Sequence, residues 1–426
     1  MLRCCIGFIP QDNDKLMKVL YVTAACLLKN TSANMSHNAY VKGLIENGAE
    51  LDIIMASDSW GEADNKFIRF PGVKYYEYNS KSLSDKMRER GRRMIKQSPQ
   101  ILQSTAVDIG HDVVMESHKP TRAKFRALMK NAYYWFFRPD SLYPLNKHWL
   151  LIARKFKSKK EYDLVISNSS PSASHKLVEI LSRKGNIRYK RWIQIWEDPW
   201  YYDLYGGHSQ AILKEEHRLL QAAQEVFYVS PLTVHYQKRY FPDCASKMNV
   251  IPLPYFKFGG EKSSPSAELS FGYFGDYYSH VRNILPFYEA LAKGGYKGYI
   301  YGDSDLRLQS TEKITVSDRV TLDVLENVQN NTAVLVHLCN LRGGQIPGKI
   351  YHYSATNKPI IFILDGTEDE CTIIKDYFSK YDRFIFCENT INSIAAALDS
   401  ITSSLPEEMV VEAFSPETVV KVLLAD

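Results

Sequence analysis

The strongest constraint on this 426-residue chain is its rhythm. Twelve short runs rich in Val, Ile, Tyr and Phe recur along it. They are Lys18–Ala24, Leu51–Ala56, Asp163–Asn168, Arg191–Glu197, Val226–Ser230, Asn249–Leu253, Leu269–Phe274, Tyr299–Gly302, Val320–Leu322, Ala333–Leu338, Pro359–Leu364 and Arg383–Cys387. Most are continuously apolar and do not alternate. Such runs read as strands covered on both faces, as in parallel sheets. Helical patterns fill many of the intervals. His37–Asn47 has Ser36 as N-cap and Gly48 as its stop, and Ser174–Lys184 stops at Gly185. Asn283–Lys293 and Ile350–Thr356 follow the same logic. Strand–helix alternation over the whole length predicts an α/β chain with open, doubly wound sheets.

Pro252, Pro254, Gly259, Gly260, Ser263, Ser264, Pro265 and Ser266 crowd together, a composition that marks a loop or linker. Strands lie on both sides of it, so two Rossmann-like halves are expected to face each other across a cleft. The expected divisions are an N-terminal domain over 17–255, a linker over 256–268, a C-terminal domain over 269–405, and a segment over 406–426 that packs back on the N-terminal half. Residues 1–16 read as a disordered tail or a mis-assigned start.

Hydrophobic residues at 45% and charged residues at 24% exclude a wholly disordered, collagen-like or coiled-coil chain. The seven cysteines show neither a CxxC nor a metal-ligand spacing, so a reducing compartment is expected. No run of roughly 18 apolar residues is present. The net charge is +5, yet Lys119 to Lys160 holds twelve Lys/Arg against one acid, Asp140. That stretch predicts an anionic partner. Within it, residues 124–137 read as a basic amphipathic helix, the pattern of an element lying on an anionic membrane surface. Nucleic acid fits less well, because no binding module accompanies the charge.

Two segments carry the candidate chemistry. Leu269-Ser-Phe-Gly-Tyr-Phe-Gly-Asp-Tyr-Tyr-Ser-His-Val-Arg-Asn-Ile is a strand, a glycine-bearing loop and a helix. There Gly275 would let backbone amides approach a phosphate, and Arg282 would pair with it. Asn340-Leu-Arg-Gly-Gly-Gln-Ile-Pro-Gly-Lys-Ile-Tyr-His-Tyr is a glycine-rich loop leading into a helix near Pro347. Loop amides there would favour an anion, Lys349 adds a full charge, and His352 shares its face.

The segment from Pro347-Gly-Lys to Lys358-Pro-Ile-Ile resembles the donor-nucleotide segment of bacterial GT-B glycosyltransferases of the retaining, family-4 type that build surface polysaccharides such as capsule. The resemblance extends to Lys18-Val-Leu-Tyr-Val-Thr-Ala, Tyr162-Asp-Leu-Val-Ile-Ser-Asn-Ser-Ser-Pro, Trp192-Ile-Gln-Ile-Trp-Glu-Asp-Pro-Trp, Asn249-Val-Ile-Pro and Phe271–Asn283, in the family's order over about residues 17–400. It implies a GT-B architecture, with an N-terminal acceptor domain and a C-terminal nucleotide-sugar donor domain. It also implies transfer of a sugar, with retention and without a metal or other cofactor, to a lipid-linked glycan acceptor such as one carried on polyprenyl diphosphate. The expected place is cytoplasmic, peripheral on the inner face of the membrane. By this resemblance Gly275, Arg282, Gly344, Gln345, Lys349 and His352 bind the donor. Asp198, Arg282 and Lys349 are catalytic, and Ser36 and His37 bind the acceptor. His352 stands where the family commonly has a Glu that binds ribose hydroxyls. Two other readings stay open: a non-catalytic scaffold of the same fold, and a nucleotide-sugar epimerase.

Overall fold

The computed structural model describes residues 16–58, 62–63, 67–80, 142–204, 208–256, 268–403 and 410–425. The amphipathic stretch 124–137 and most of the basic segment 119–160 lie outside the described residues.

The first half begins with β1 (Lys18–Val22), a two-residue strand β2 (Lys29–Asn30) and helix α1 (Ser32–Glu46), followed by β3 (Glu50–Ala56), β4 (Glu62–Ala63) and β5 (Lys74–Tyr78). It continues through α2 (Lys147–Ala153), β6 (Glu161–Ser169), α3 (Ala173–Arg183), β7 (Arg188–Trp196) and α4 (Gln210–Ala222). It closes with β8 (Glu225–Tyr228), α5 (Pro231–Tyr240), a 3₁₀ turn (Pro242–Lys247) and β9 (Met248–Val250). Seven of these strands form one parallel sheet in the order β5-β3-β1-β6-β7-β8-β9.

The second half holds β10 (Ser270–Phe274), α6 (Leu285–Gly294), β11 (Lys297–Tyr301), β12 (Ile314–Ser317), α7 (Leu322–Asn330) and β13 (Val334–Leu338). Then come α8 (Lys349–Tyr353), β14 (Ile360–Leu364), α9 (Glu368–Ser379), β15 (Phe384–Glu388), α10 (Ile391–Ser403) and α11 (Pro416–Leu424). Its six strands are parallel too, in the order β12-β11-β10-β13-β14-β15.

The inner strands β1, β10, β13 and β14 are buried almost throughout, as their apolar runs require. Sequence and structure part at the edges. Lys74–Tyr78 and Ile314–Ser317 are edge strands absent from the expected set, and both are partly exposed, with polar residues interspersed. Val320–Leu322 is not a strand; Leu322 begins α7 with Thr321 at its N-cap. Helix α1 starts five residues before His37. Its cap is Thr31, whose hydroxyl accepts from the Asn34 amide at 3.1 Å, and Ser36 lies inside the helix.

In each sheet the strand order reverses beside the first strand, between β1 and β6 and between β10 and β13. Ligands in such sheets sit outside the carboxyl ends of the strands at these points. Helix α11 returns to the first half, where Asn47 Nδ2 donates to the Glu417 carbonyl at 3.0 Å and Arg191 donates to the Leu423 carbonyl at 2.6 Å.

Candidate functional site

A cleft of about 600 Å³ opens between the carboxyl ends of the two sheets. Its walls come from the segments after β2, β7, β10, β11, β12 and β13, together with the start of α1 and α8.

The second half forms the cationic wall. After β10 the Gly275 amide donates to the Tyr301 carbonyl at 2.8 Å. Gly302 lies so close that a Cβ there would sit 2.0 Å from the Gly275 oxygen, and its φ is +151°. Only glycine fits this contact. Arg282 is held from two sides: Nε donates to Asn340 Oδ1 at 2.8 Å and Nη1 to the Asp276 carbonyl at 2.9 Å. Arg319 reaches the same loop, with Nε on Asp276 Oδ1 at 2.9 Å.

Lys349 lines the cleft without a hydrogen bond or ion pair to another described residue. Burial pushes its pKa down to about 8; Asp276 opposes the fall, while Arg282 and Arg319 add to it. His352, one turn on, is lowered to about 4 by burial and by Lys349, and its buried Nδ1 has no partner among the described residues. Helix α8 is five residues long, shorter than the glycine-rich sequence leads one to expect, so full side-chain charges rather than a helix dipole dominate here.

The first half forms the acidic wall. Glu197 and Asp198 follow β7 directly. Burial raises the Glu197 carboxyl well above its ordinary value, and Asp198 adds to the shift. One Glu197 oxygen is buried without a partner among the described residues. Asp198 is raised to about 6, first by burial; a hydrogen bond from Gln345 lowers it and Asp203 raises it. Asn30, Thr31, Ser32, Ala33 and Ser36 complete this wall at the start of α1.

The structure thus gathers Ser36, Asp198, Gly275, Arg282, Lys349 and His352 around one cleft. It corrects three expectations. His37 is fully buried behind the wall, with Nδ1 2.7 Å from the Tyr21 hydroxyl and Nε2 3.3 Å from Thr23 Oγ1. That closed polar cluster leaves it nothing to offer an acceptor, and burial lowers it to about 4. Gly344 and Gln345 were expected to present amides to the donor. Instead they cross to the other half, outside the cleft wall. The Gly344 carbonyl accepts from Ser230 and from Thr233, the latter at 2.8 Å. Gln345 Nε2 donates to Asp198 and to Asp203 Oδ2, and its Oε1 accepts from the Leu204 amide at 3.0 Å.

Glu197, Asp276, Gly302, Arg319 and His337 also line the cleft, although sequence reasoning did not assign them to the site. Arg319 follows an edge strand that the apolar pattern had not revealed, which explains its omission. The letters Asp303-Ser-Asp305 are taken up locally. Asp303 lies 3.4 Å from Arg319, and Asp305 accepts from the Ser279 amide at 2.6 Å.

No protein-family model matches the chain, and no curated protein matches it in sequence. Solved structures do. The catalytic domain of starch synthase IV from Arabidopsis thaliana, bound to ADP and acarbose, superposes with a TM-score of 0.53 at 9% identity, covering 97% of this chain and 96% of that one. AviGT4, a glycosyltransferase involved in avilamycin A biosynthesis, superposes with a TM-score of 0.50 at 9% identity, covering 96% of each.

The chain has the GT-B fold. Two doubly wound sheets with their carboxyl ends turned toward one cleft make up this fold, and the strand orders above show how this sequence builds it.

Proposed function

We propose that this GT-B chain is a glycosyltransferase that moves a sugar from a nucleoside-diphosphate sugar to an acceptor hydroxyl. One observation carries the reading: a cationic wall of Arg282 and Lys349 faces an acidic wall of Glu197 and Asp198 across a single cleft. The fold likeness to transferases, one of them bound to ADP, supports it.

In the proposed reaction the bond from the anomeric carbon to the diphosphate breaks and the electron pair leaves with the diphosphate. The bond from the acceptor oxygen to the anomeric carbon forms. The acceptor proton passes to the departing phosphate. Lys349 and the Arg282 guanidinium offset the growing negative charge, and Asn340 and Asp276 hold Arg282 in place before the reaction begins. Lys349 suits this role because it lines the cleft with no hydrogen bond or ion pair to another described residue. A diphosphate arriving beside it restores its full charge. Asp198 orients the acceptor hydroxyl, and His352, with an unpartnered ring nitrogen, hydrogen-bonds the donor. Retention, independence of a metal and a lipid-linked glycan acceptor are parts of the same proposal. The basic stretch 119–160 supports contact with an anionic membrane.

Thermal shift of the purified chain against UDP, GDP, CMP, dTDP and ADP, with and without EDTA, tests the reading. One diphosphate should raise the melting temperature by linkage, unaffected by EDTA. No shift with any of the five in a folded sample overturns donor binding and favours the scaffold alternative.

A further inference from the structure

Away from the cleft, α4 and the 3₁₀ turn Pro242–Lys247 bring three metal-ligating side chains together. His217 Nε2 lies 2.9 Å and 2.8 Å from the two Asp243 oxygens. Cys244 Sγ lies 3.8 Å from Asp243 Oδ2. The three ligand atoms are all within 4.8 Å of one another. A triangle no wider than that has a point within about 2.8 Å of every corner, and Zn–N, Zn–O and Zn–S bonds run from about 2.0 to 2.3 Å. Small side-chain rotations therefore close the difference.

We infer that His217, Asp243 and Cys244 form a zinc site that clamps α4 to the turn before β9. The donor set selects the metal: imidazole, carboxylate and thiolate together suit Zn²⁺ and disfavour Mg²⁺ or Ca²⁺, which take oxygen. Charge agrees, since thiolate and carboxylate balance the ion. Metal binding displaces the thiol proton to solvent, and the His217–Asp243 hydrogen bond gives way to two bonds to zinc. Cys244 is buried while His217 and Asp243 reach the surface, so the ion enters from solvent and a water completes the fourth position.

The surroundings fit a clamp. Gln221, one turn beyond His217, donates to Asp243 Oδ2 at 3.0 Å and so orients the carboxylate from outside the triad. Phe241 stacks on the His217 ring at 5.4 Å between centroids. Lys247 Nζ ties down the end of α4 through the Gln221 and Ala223 carbonyls at 2.9 and 2.8 Å. None of these residues lines the cleft, so the inference stands apart from the proposed transfer reaction.

The test is cobalt substitution in the full chain, kept reduced and stripped with EDTA. One equivalent of Co²⁺ alone should produce thiolate-to-cobalt absorption in the near ultraviolet, which Zn²⁺ then abolishes, and Zn²⁺ should raise the melting temperature. Cys244→Ser should remove the band, whereas Cys371→Ser should keep it. His217→Gln changes a partly exposed side chain of α4 and so tests the site with the buried Cys244 left intact. It should weaken zinc binding more than about tenfold, at least the loss that an outer-shell partner brings. A wild-type chain without the band, a band that survives Cys244→Ser, or unchanged zinc affinity in folded His217→Gln each overturns the site.

Discussion

Lys349 concentrates the conflict between stability and binding in one side chain. Its folded pKa of about 8 lies below the ordinary lysine value of 10.5, so the unfolded chain holds more protons between these values. The charged form therefore costs the folded state free energy at neutral pH, and wild-type stability rises as pH rises from about 8 toward 10.5. Lys349→Met should stabilise the protein at pH 7, by on the order of 2 kcal/mol, with the gain fading above pH 8. The same variant should bind the proposed nucleoside diphosphate at least about tenfold more weakly, the scale of one charge-assisted hydrogen bond. Calorimetric melting across pH and titration with the diphosphate check the two halves separately. In the proposed reaction the opposite wall sets the other limb of the rate profile. If Asp198 works as a carboxylate, kcat/KM rises with pH through about 6 and falls above about 8 as Lys349 loses its proton. Asp198→Asn should remove the acid limb and leave the alkaline one. A flat wild-type profile across both values would sink this assignment.

At the scale of the element, the loop between β13 and α8 has a use that its glycines alone did not reveal. Gly343, at φ +88°, and Gly344 let the backbone approach Leu204 and Thr233, and Gln345 reaches through to Asp198, Asp203 and Leu204. A glycine-rich loop before a lysine reads equally well as a phosphate cradle or as a close contact. The partner that distinguishes them lies 147 residues away in the chain. Because Gln345 lowers the Asp198 pKa, Gln345→Ala should move the acid limb to higher pH, while diphosphate binding through Lys349 persists. Rate profiles and binding titrations on the same sample separate these effects, and an unshifted limb counts against the bridge. Strands follow a similar rule. Inner strands such as Ile360–Leu364 are apolar on both faces and were legible at once. Edge strands such as Lys74–Tyr78 face solvent on one side, keep polar residues, and lose the pattern.

At the scale of the whole molecule, an early helix and a late one meet. Helix α11 lies on α1 so closely that a Cβ on Gly43 would come within 2.1 Å of the Pro416 carbonyl oxygen. Phe414, Val419, Val420 and Leu423 are buried in the cluster that also contains Tyr40, Val41 and Leu44. Each such burial contributes roughly 1.5–3 kcal/mol. Gly43→Val should therefore displace α11 and lower the melting temperature by several degrees, and removal of residues 410–426 should lower it further. Calorimetry on both variants checks the order; an unchanged Gly43→Val melt would show that the helix contact carries little.

The division of information follows from range. Apolar runs, stop glycines and the glycine-bearing loops act within a few residues, so two parallel α/β halves and the candidates Asp198, Arg282, Lys349 and His352 could be read from the chain alone. Burial and cross-half contact arise only when the sheets come together. That packing sealed His37 behind Tyr21 and Thr23, turned Gln345 toward Asp198, and pushed the Glu197 carboxyl pKa upward through burial beside the cleft. Each depends on desolvation or on a partner more than ten residues distant, and local pattern records neither.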